Sequence, residues 1–175
     1  ANEAMHYLQI LWQGLPVFEA TITLLAVFML LTIMGIGESA KVATAIFLLH
    51  LTTIFILIVA GAWGIAHMGW NVFLENFHRP VEGSLAMALF LGFSAAMLGI
   101  SGFESSANFV EEQQEGVFPK TLRNMWLAVT VINPIMAFLA LSLIPVKEIA
   151  GHQEALLSYL GSITGGSWLA GLISI

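Results

Sequence analysis

The sequence predicts an all-α, polytopic membrane protein. Of its 175 residues, 58% are hydrophobic and only 9% are charged, and the mean hydropathy is +0.90. A soluble domain has about 25% charged residues, so 5 basic and 11 acidic side chains are too few to cover a soluble surface. The apolar residues also fall in runs of about 20, which is the length of a helix that crosses a bilayer.

The composition excludes several functional classes. There is no cysteine, which removes disulfide frameworks, thiolate metal sites and cysteine nucleophiles. The net charge of −6 argues against nucleic acid as a partner, because phosphate contacts need clustered lysine and arginine. The histidines lack metal-ligand spacing, and no nucleophile elbow or phosphate-binding loop occurs. We therefore expect no metal, no cofactor and no enzymatic activity.

The apolar runs divide the chain into five predicted transmembrane helices, over residues 18–36, 42–65, 84–110, 124–146 and 155–175. The last is predicted to be truncated at residue 175, and we interpret the chain as a fragment of a larger membrane protein. Residues 1–14 alternate apolar and polar side chains at helical spacing, which predicts an extracellular segment at the membrane interface. Gly161 and Gly165 have the small-residue spacing that packs one helix closely against another.

The connections between the helices predict the orientation of the chain. Residues 35–41 form a predicted tight turn, and residues 111–123 form a strongly charged loop. Together they carry three basic residues, against two in the connections on the opposite side. Cytoplasmic connections are enriched in lysine and arginine, so both are predicted to lie in the cytoplasm.

The middle of the span 84–110 is unusually polar. It reads Gly99-Ile-Ser-Gly-Phe-Glu-Ser-Ser-Ala107. Each glycine costs a helix about 1 kcal/mol relative to alanine, and irregular backbone at membrane depth must be buried in protein or line a cavity. The pattern predicts a helix that is broken near residues 100–103, which is typical of a transporter binding site.

The predicted break supplies the candidate substrate-binding residues, which are Gly99, Ile100, Ser101, Gly102 and Phe103. Backbone carbonyls freed from the helix would accept hydrogen bonds from a substrate ammonium group, near the negative end of the preceding half-helix. In the alternative interpretation, the two glycines only let a neighbouring helix approach closely. The segment alone leaves both interpretations open.

Two ionisable residues lie at membrane depth. Glu104 follows the predicted break, where a carboxylate is costly unless it has a partner or a function. His50 lies among phenylalanine and leucine side chains in the span 42–65. It fits a coupling role, and it equally fits a neutral histidine bonded to a nearby carbonyl. Thr52 and Thr53 are predicted to bond to their own helix, as threonines in helices commonly do.

Three stretches of the sequence resemble a known family. The stretch Gly102-Phe-Glu-Ser-Ser-Ala-Asn-Phe-Val-Glu-Glu112, followed by Val117-Phe-Pro-Lys-Thr-Leu-Arg-Asn124, resembles the sixth transmembrane helix and following loop of amino acid–polyamine–organocation (APC) transporters. Gly37-Glu-Ser-Ala-Lys-Val42 resembles the start of their fifth helix, although Ala43 and Thr44 depart from the Asn-Asn often found there. The resemblance covers essentially the whole chain, as helices four to eight. It implies a fold of ten core helices in two inverted repeats.

The resemblance also implies a function. We expect secondary active transport of amino acids or related small organic cations by alternating access, in a multi-pass protein of the plasma membrane. His50 falls where some similar proton-coupled transporters carry a lysine in place of a sodium ion. This implies a coupling or gating role for His50 and Glu104, with a proton, the substrate and the lipid bilayer as partners.

Two other functions remain as alternatives. One is transport of a different solute, such as an inorganic cation. The other is an intramembrane hydrolase that uses Ser101, His50 and Glu104, against which the missing nucleophile elbow argues.

Overall fold

The computed structural model describes residues 5, 6, 8, 9, 12, 14–34, 36–80, 83–98, 103–108 and 110–174, and these residues include no β-strand. The α-helices are α1 (Val17–Met34), α2 (Ile36–Met68), α3 (Asn71–Phe77), α4 (Leu85–Leu98), α5 (Phe103–Asn108), α6 (Val117–Leu143), α7 (Val146–Ile149), α8 (Leu156–Gly165) and α9 (Ser167–Ile173). Short 3-10 helices cover Val110–Glu112 and Ala150–Ala155. Most of the predicted interfacial segment 1–14 lies outside the described residues.

Among the described residues, two helices are long and apolar enough to cross a membrane, Lys41–Met68 within α2 and the whole of α6. Only 11% of the most apolar part of α2 and 22% of that of α6 are buried. The core helix of a soluble protein would be mostly buried, so these exposed apolar surfaces fit contact with lipid. Helices α1 and α4 are also apolar, with 18 and 14 residues.

Helix α2 is longer than predicted at both ends. It begins at Ile36, so nearly all of the predicted tight turn 35–41 is helical. The residues after Gly37 are acceptable helix formers, and a single glycine costs only about 1 kcal/mol. At the other end, Gly69 adopts a φ of 78° and donates its N–H to the Ile65 carbonyl at 2.9 Å. A left-handed glycine of this kind commonly ends a helix.

Helix α6 begins at Val117, inside the predicted loop 111–123, which is therefore shorter than predicted. Gly116 precedes it with a φ of 77°. Pro119 lies in the first turn, where its missing N–H would have no helical acceptor anyway. The helix continues through Pro134, although proline cannot donate to the carbonyl four residues earlier.

The single helix predicted over residues 155–175 is wrong. The chain forms α8 and α9 instead, and it turns back between them at Gly166, whose φ is 79°. The two helices pack together, because the Ser158 hydroxyl donates to the Ala170 carbonyl at 3.2 Å. A Cβ on Gly161 would lie 3.3 Å from the Ala170 nitrogen, so this glycine permits close packing of α8 on α9, within the segment that was predicted as one helix.

The chain forms two compact units, residues 1–76 with 139–175, and residues 77–138. The core of the first unit contains fully buried leucine and isoleucine side chains from three helices and from the residue that follows α6, namely Leu57, Leu160, Leu169 and Ile144. In a bilayer, such side chains stabilise the fold through close van der Waals packing between helices. Gly61 lets α6 approach α2, since a Cβ there would lie 3.0 Å from Cδ1 of Leu139.

Candidate functional site

The predicted substrate-binding segment lies between α4, which ends at Leu98, and α5, which begins at Phe103. Four of its residues lie outside the described part of the structure, namely Gly99, Ile100, Ser101 and Gly102. The break near residues 100–103 therefore stays a prediction. The flanking helices have 14 and 6 residues. At 1.5 Å per residue they measure about 21 and 9 Å, so each is shorter than a hydrocarbon core of about 30 Å.

The residues that flank this segment belong to the second unit, in which no described residue is buried. Phe103 is partly exposed, and Glu104 follows it in α5 with a side chain outside the described part of the structure. Upstream in α4, the exposed Ser94 donates its hydroxyl to the Phe90 carbonyl at 2.9 Å. Ser94 is thus satisfied within its own helix, and it provides a matched control for Ser101.

His50 lies on α2, nine residues after Lys41, at which the membrane-spanning part begins. Its side chain is exposed on the first unit, as are the neighbouring Phe47 and Leu49. An imidazole is costly to place against lipid, so this face is expected to meet protein or water. His50 and Glu104 belong to different units.

Three other polar side chains of α2 contact carbonyls of their own helix. The hydroxyls of Thr52 and Thr53 donate to the carbonyls four residues earlier, at 2.8 and 3.0 Å. This confirms the structural role predicted for both threonines. At the end of α2, Nδ1 of His67 lies 3.0 Å from the Trp63 carbonyl, and its ring centroid lies 4.3 Å from that of the indole.

Asn76, near the end of α3, joins the end of α6 to the start of α7. Its Nδ2 donates to the carbonyls of Leu141 at 2.8 Å and Ile144 at 2.9 Å. Its Oδ1 accepts the Val146 N–H at 3.0 Å. The role of Asn76 was not predicted from the sequence. The sequence feature that indicates such a partner is Pro145, just after the apolar helix α6. Proline has no N–H, so the Leu141 carbonyl four residues earlier lacks its helical donor.

A second polar cluster, also missed from the sequence, connects α7 with α8. The Tyr159 hydroxyl donates to Oε2 of Glu148 at 2.8 Å. The His152 ring stacks on Tyr159 with centroids 3.7 Å apart and planes 11° apart. The cluster borders a cavity of about 300 Å³ whose lining includes Ser158 and Ser162. No group of metal-ligating side chains occurs in the described part of the chain.

An apolar groove of about 350 Å³ lies against α2, α8 and α9 in the first unit. The Thr164 hydroxyl in its wall is already bonded to the Leu160 carbonyl at 2.9 Å. The lining carries no charged side chain to pair with the ammonium or carboxylate group of an amino acid. The groove is lined by Phe55, Ile56, Val59, Ala60, Trp63, Thr164, Gly165 and Trp168.

The sequence was compared with known proteins. Residues 7–175 match the family model described as amino acid permease. Comparisons with curated proteins and with solved structures found no match. The family match spans nearly the whole chain, it agrees with the helical architecture and the two long apolar helices, and it indicates a transporter of small molecules rather than an enzyme. The chain therefore belongs to the amino acid permease family of the APC superfamily and is an all-α membrane protein.

Proposed function

We propose that the protein carries out secondary active transport of amino acids or related small organic cations by alternating access. In this proposal it is a multi-pass protein of the plasma membrane and is coupled to protons. The observation that carries the proposal is the amino acid permease match over residues 7–175. The two long, mostly exposed apolar helices, α2 and α6, support a chain that spans the membrane more than once.

In this proposal the substrate binds at the segment from Gly99 to Phe103. The position of the segment between the end of α4 and the start of α5 supports this choice. An unwound backbone there would present free carbonyls to an ammonium group, and the C-terminal end of α4 would add its negative dipole. Ser101 lies at the centre of the segment, so a larger side chain at this position would block the approach of the ligand to the backbone.

His50 and Glu104 are proposed to act in coupling or gating. The exposed position of His50 on a membrane-spanning helix supports a contact with another part of the transporter. Imidazole changes its charge near neutral pH. Protonation would add a positive charge where similar transporters hold a cation, and this charge would stabilise the packing of the helices around the site. Loss of the proton would weaken this helix packing and favour the inward-facing state.

The proposal is tested by reconstituting the full-length protein in proteoliposomes and measuring uptake of a panel of radiolabelled amino acids and amines. We expect at least one of them to accumulate when the outside is made acidic. Accumulation that needs a sodium gradient and ignores pH would refute proton coupling while leaving amino acid transport in place. Uptake of radiolabelled rubidium without uptake of any amino acid would favour the inorganic cation alternative and overturn the proposal.

A further inference from the structure

The two long helices of the protein end beside each other in the first unit. A Cβ on Gly64 of α2 would lie 3.5 Å from Cδ2 of Leu143, the last residue of α6. Only Gly69 and Trp70 separate α2 from α3. Helix α3 therefore begins directly after α2, so a displacement of the end of α2 also displaces α3.

Asn76 connects α3 to both sides of the turn that follows α6. Its two donor bonds go to carbonyls at the end of α6, and its acceptor bond takes the first N–H of α7. The Leu141 carbonyl requires an outside donor, because the residue four positions later is Pro145, which has no N–H. The first N–H of α7 also lacks a helical acceptor. One side chain thus satisfies backbone groups of two helices.

The bond from Asn76 to the Ile144 carbonyl is partly buried, whereas the bonds to the Leu141 carbonyl and from the Val146 N–H are exposed. Ser142, Leu143 and Ile144 are buried around the accepting carbonyls, and Asn76 itself is partly buried. Loss of the partly buried bond to Ile144 is therefore expected to cost more than loss of either exposed bond, which water can partly replace. The contact between Gly64 and Leu143 is apolar and has no preferred direction, whereas the three hydrogen bonds from one amide are directional.

We propose that Asn76 fastens the C-terminal ends of α2 and α6 into one rigid body, so that α3 and the α6–α7 turn move together when the protein changes conformation. Asn76 is a positioning residue in this scheme, since it acts through the backbone that it holds. The inference goes beyond the proposed transport function, and it does not depend on the substrate or on the coupling ion.

The first test uses hydrogen–deuterium exchange on the full-length protein. Asn76→Ala should speed exchange in residues 144–149 by about tenfold, because local opening becomes easier when stabilising bonds are lost. The control is Asn71→Ala, an exposed asparagine at the start of the same helix, which should leave this segment unchanged. Unchanged exchange in Asn76→Ala would overturn the proposal.

A second variant keeps Asn76 and removes only the hydrogen bond that Oδ1 of Asn76 accepts from the Val146 N–H. Val146→Pro deletes the N–H that Oδ1 accepts, at the first position of a helix, where proline is well tolerated. Pro145 already has φ −58° and ψ 133°, which is the conformation that a following proline requires. If Asn76→Ala fails to fold, faster exchange in α3 of Val146→Pro supports the proposal, and unchanged exchange in α3 contradicts it.

A double-mutant cycle separates coupling from simple capping. Gly69→Ala strains the end of α2, because Gly69 has a φ of 78°. With Asn76 present, this strain should speed exchange in residues 144–149. In the Asn76→Ala background it should add little, and the two effects should be non-additive. Equal effects of Gly69→Ala in both backgrounds would show that Asn76 only caps the local turn, and the rigid-body proposal would fail.

Discussion

The hydroxyl of Tyr159 donates a 2.8 Å hydrogen bond to the carboxylate of Glu148. This bond crosses the 3-10 helix Ala150–Ala155 and joins α7 directly to α8. His152 lies in that 3-10 helix and stacks on the same tyrosine ring. Tyr159 therefore holds the segment between α7 and α8 by its hydroxyl and by its ring face.

The two contacts of Tyr159 can be separated by substitution. Tyr159→Phe keeps the ring that stacks on His152 and removes only the bond to Glu148. We expect exchange in residues 150–155 to rise about threefold, since the bond is exposed and water replaces part of it. Tyr159→Ala removes both contacts and should produce a larger rise, measured in the same hydrogen–deuterium exchange experiment. Equal rates in wild type and Tyr159→Phe would show that the bond contributes nothing.

Packing between α8 and α9 depends on a glycine. A Cβ on Gly161 would lie 2.5 Å from Cδ1 of Ile173 and 3.3 Å from the backbone nitrogen of Ala170. Gly161→Ala should therefore destabilise the protein by about 1–3 kcal/mol, as overpacking does. Gly151→Ala is the matched control, because nothing lies within 4 Å of the added carbon. Thermal unfolding in detergent compares the two variants, and an unchanged melting temperature for Gly161→Ala would contradict the close packing.

Ser101 tests the predicted substrate segment. Ser101→Leu in the full-length protein should abolish amino acid uptake and leave expression unchanged, because the side chain would crowd backbone that must approach the ligand. Ser94→Leu makes the same change at an exposed position of α4, whose hydroxyl bonds only within its helix. That control should retain uptake in the same proteoliposome assay. Wild-type uptake by Ser101→Leu would show that the segment has a packing role only.

His50 tests the proposed proton coupling. Wild-type uptake should rise as the external pH falls, because protonation of the imidazole supplies the positive charge that braces the helices. His50→Ala should lower uptake and flatten its pH dependence. His67→Ala, on the same helix, removes an imidazole that contacts its own helix at Trp63, and it should keep the wild-type profile. A normal pH profile in His50→Ala would remove this residue from the mechanism.

Local sequence pattern determined the class of the protein and the approximate position of the four longest helices among the described residues, α1, α2, α4 and α6. Hydropathy depends only on neighbouring residues, so the apolar runs located α1 and α4 within a few residues. The ends of α2 and α6 were less predictable. A glycine or proline costs little near a helix end, and its effect depends on the turn that follows. The substrate segment from Gly99 to Gly102 was chosen on composition and resemblance, and it stays a prediction.

The sequence by itself determined that this is a helical membrane protein of the amino acid permease family, because composition, apolar run length and short motifs are all read along the chain. Only the tertiary structure decided which distant residues meet. Asn76 and Val146 are 70 positions apart, and their hydrogen bond exists because α2 and α6 end side by side. The turn at Gly166 is likewise settled by the packing of α9 on α8, since a glycine permits a positive φ without requiring it.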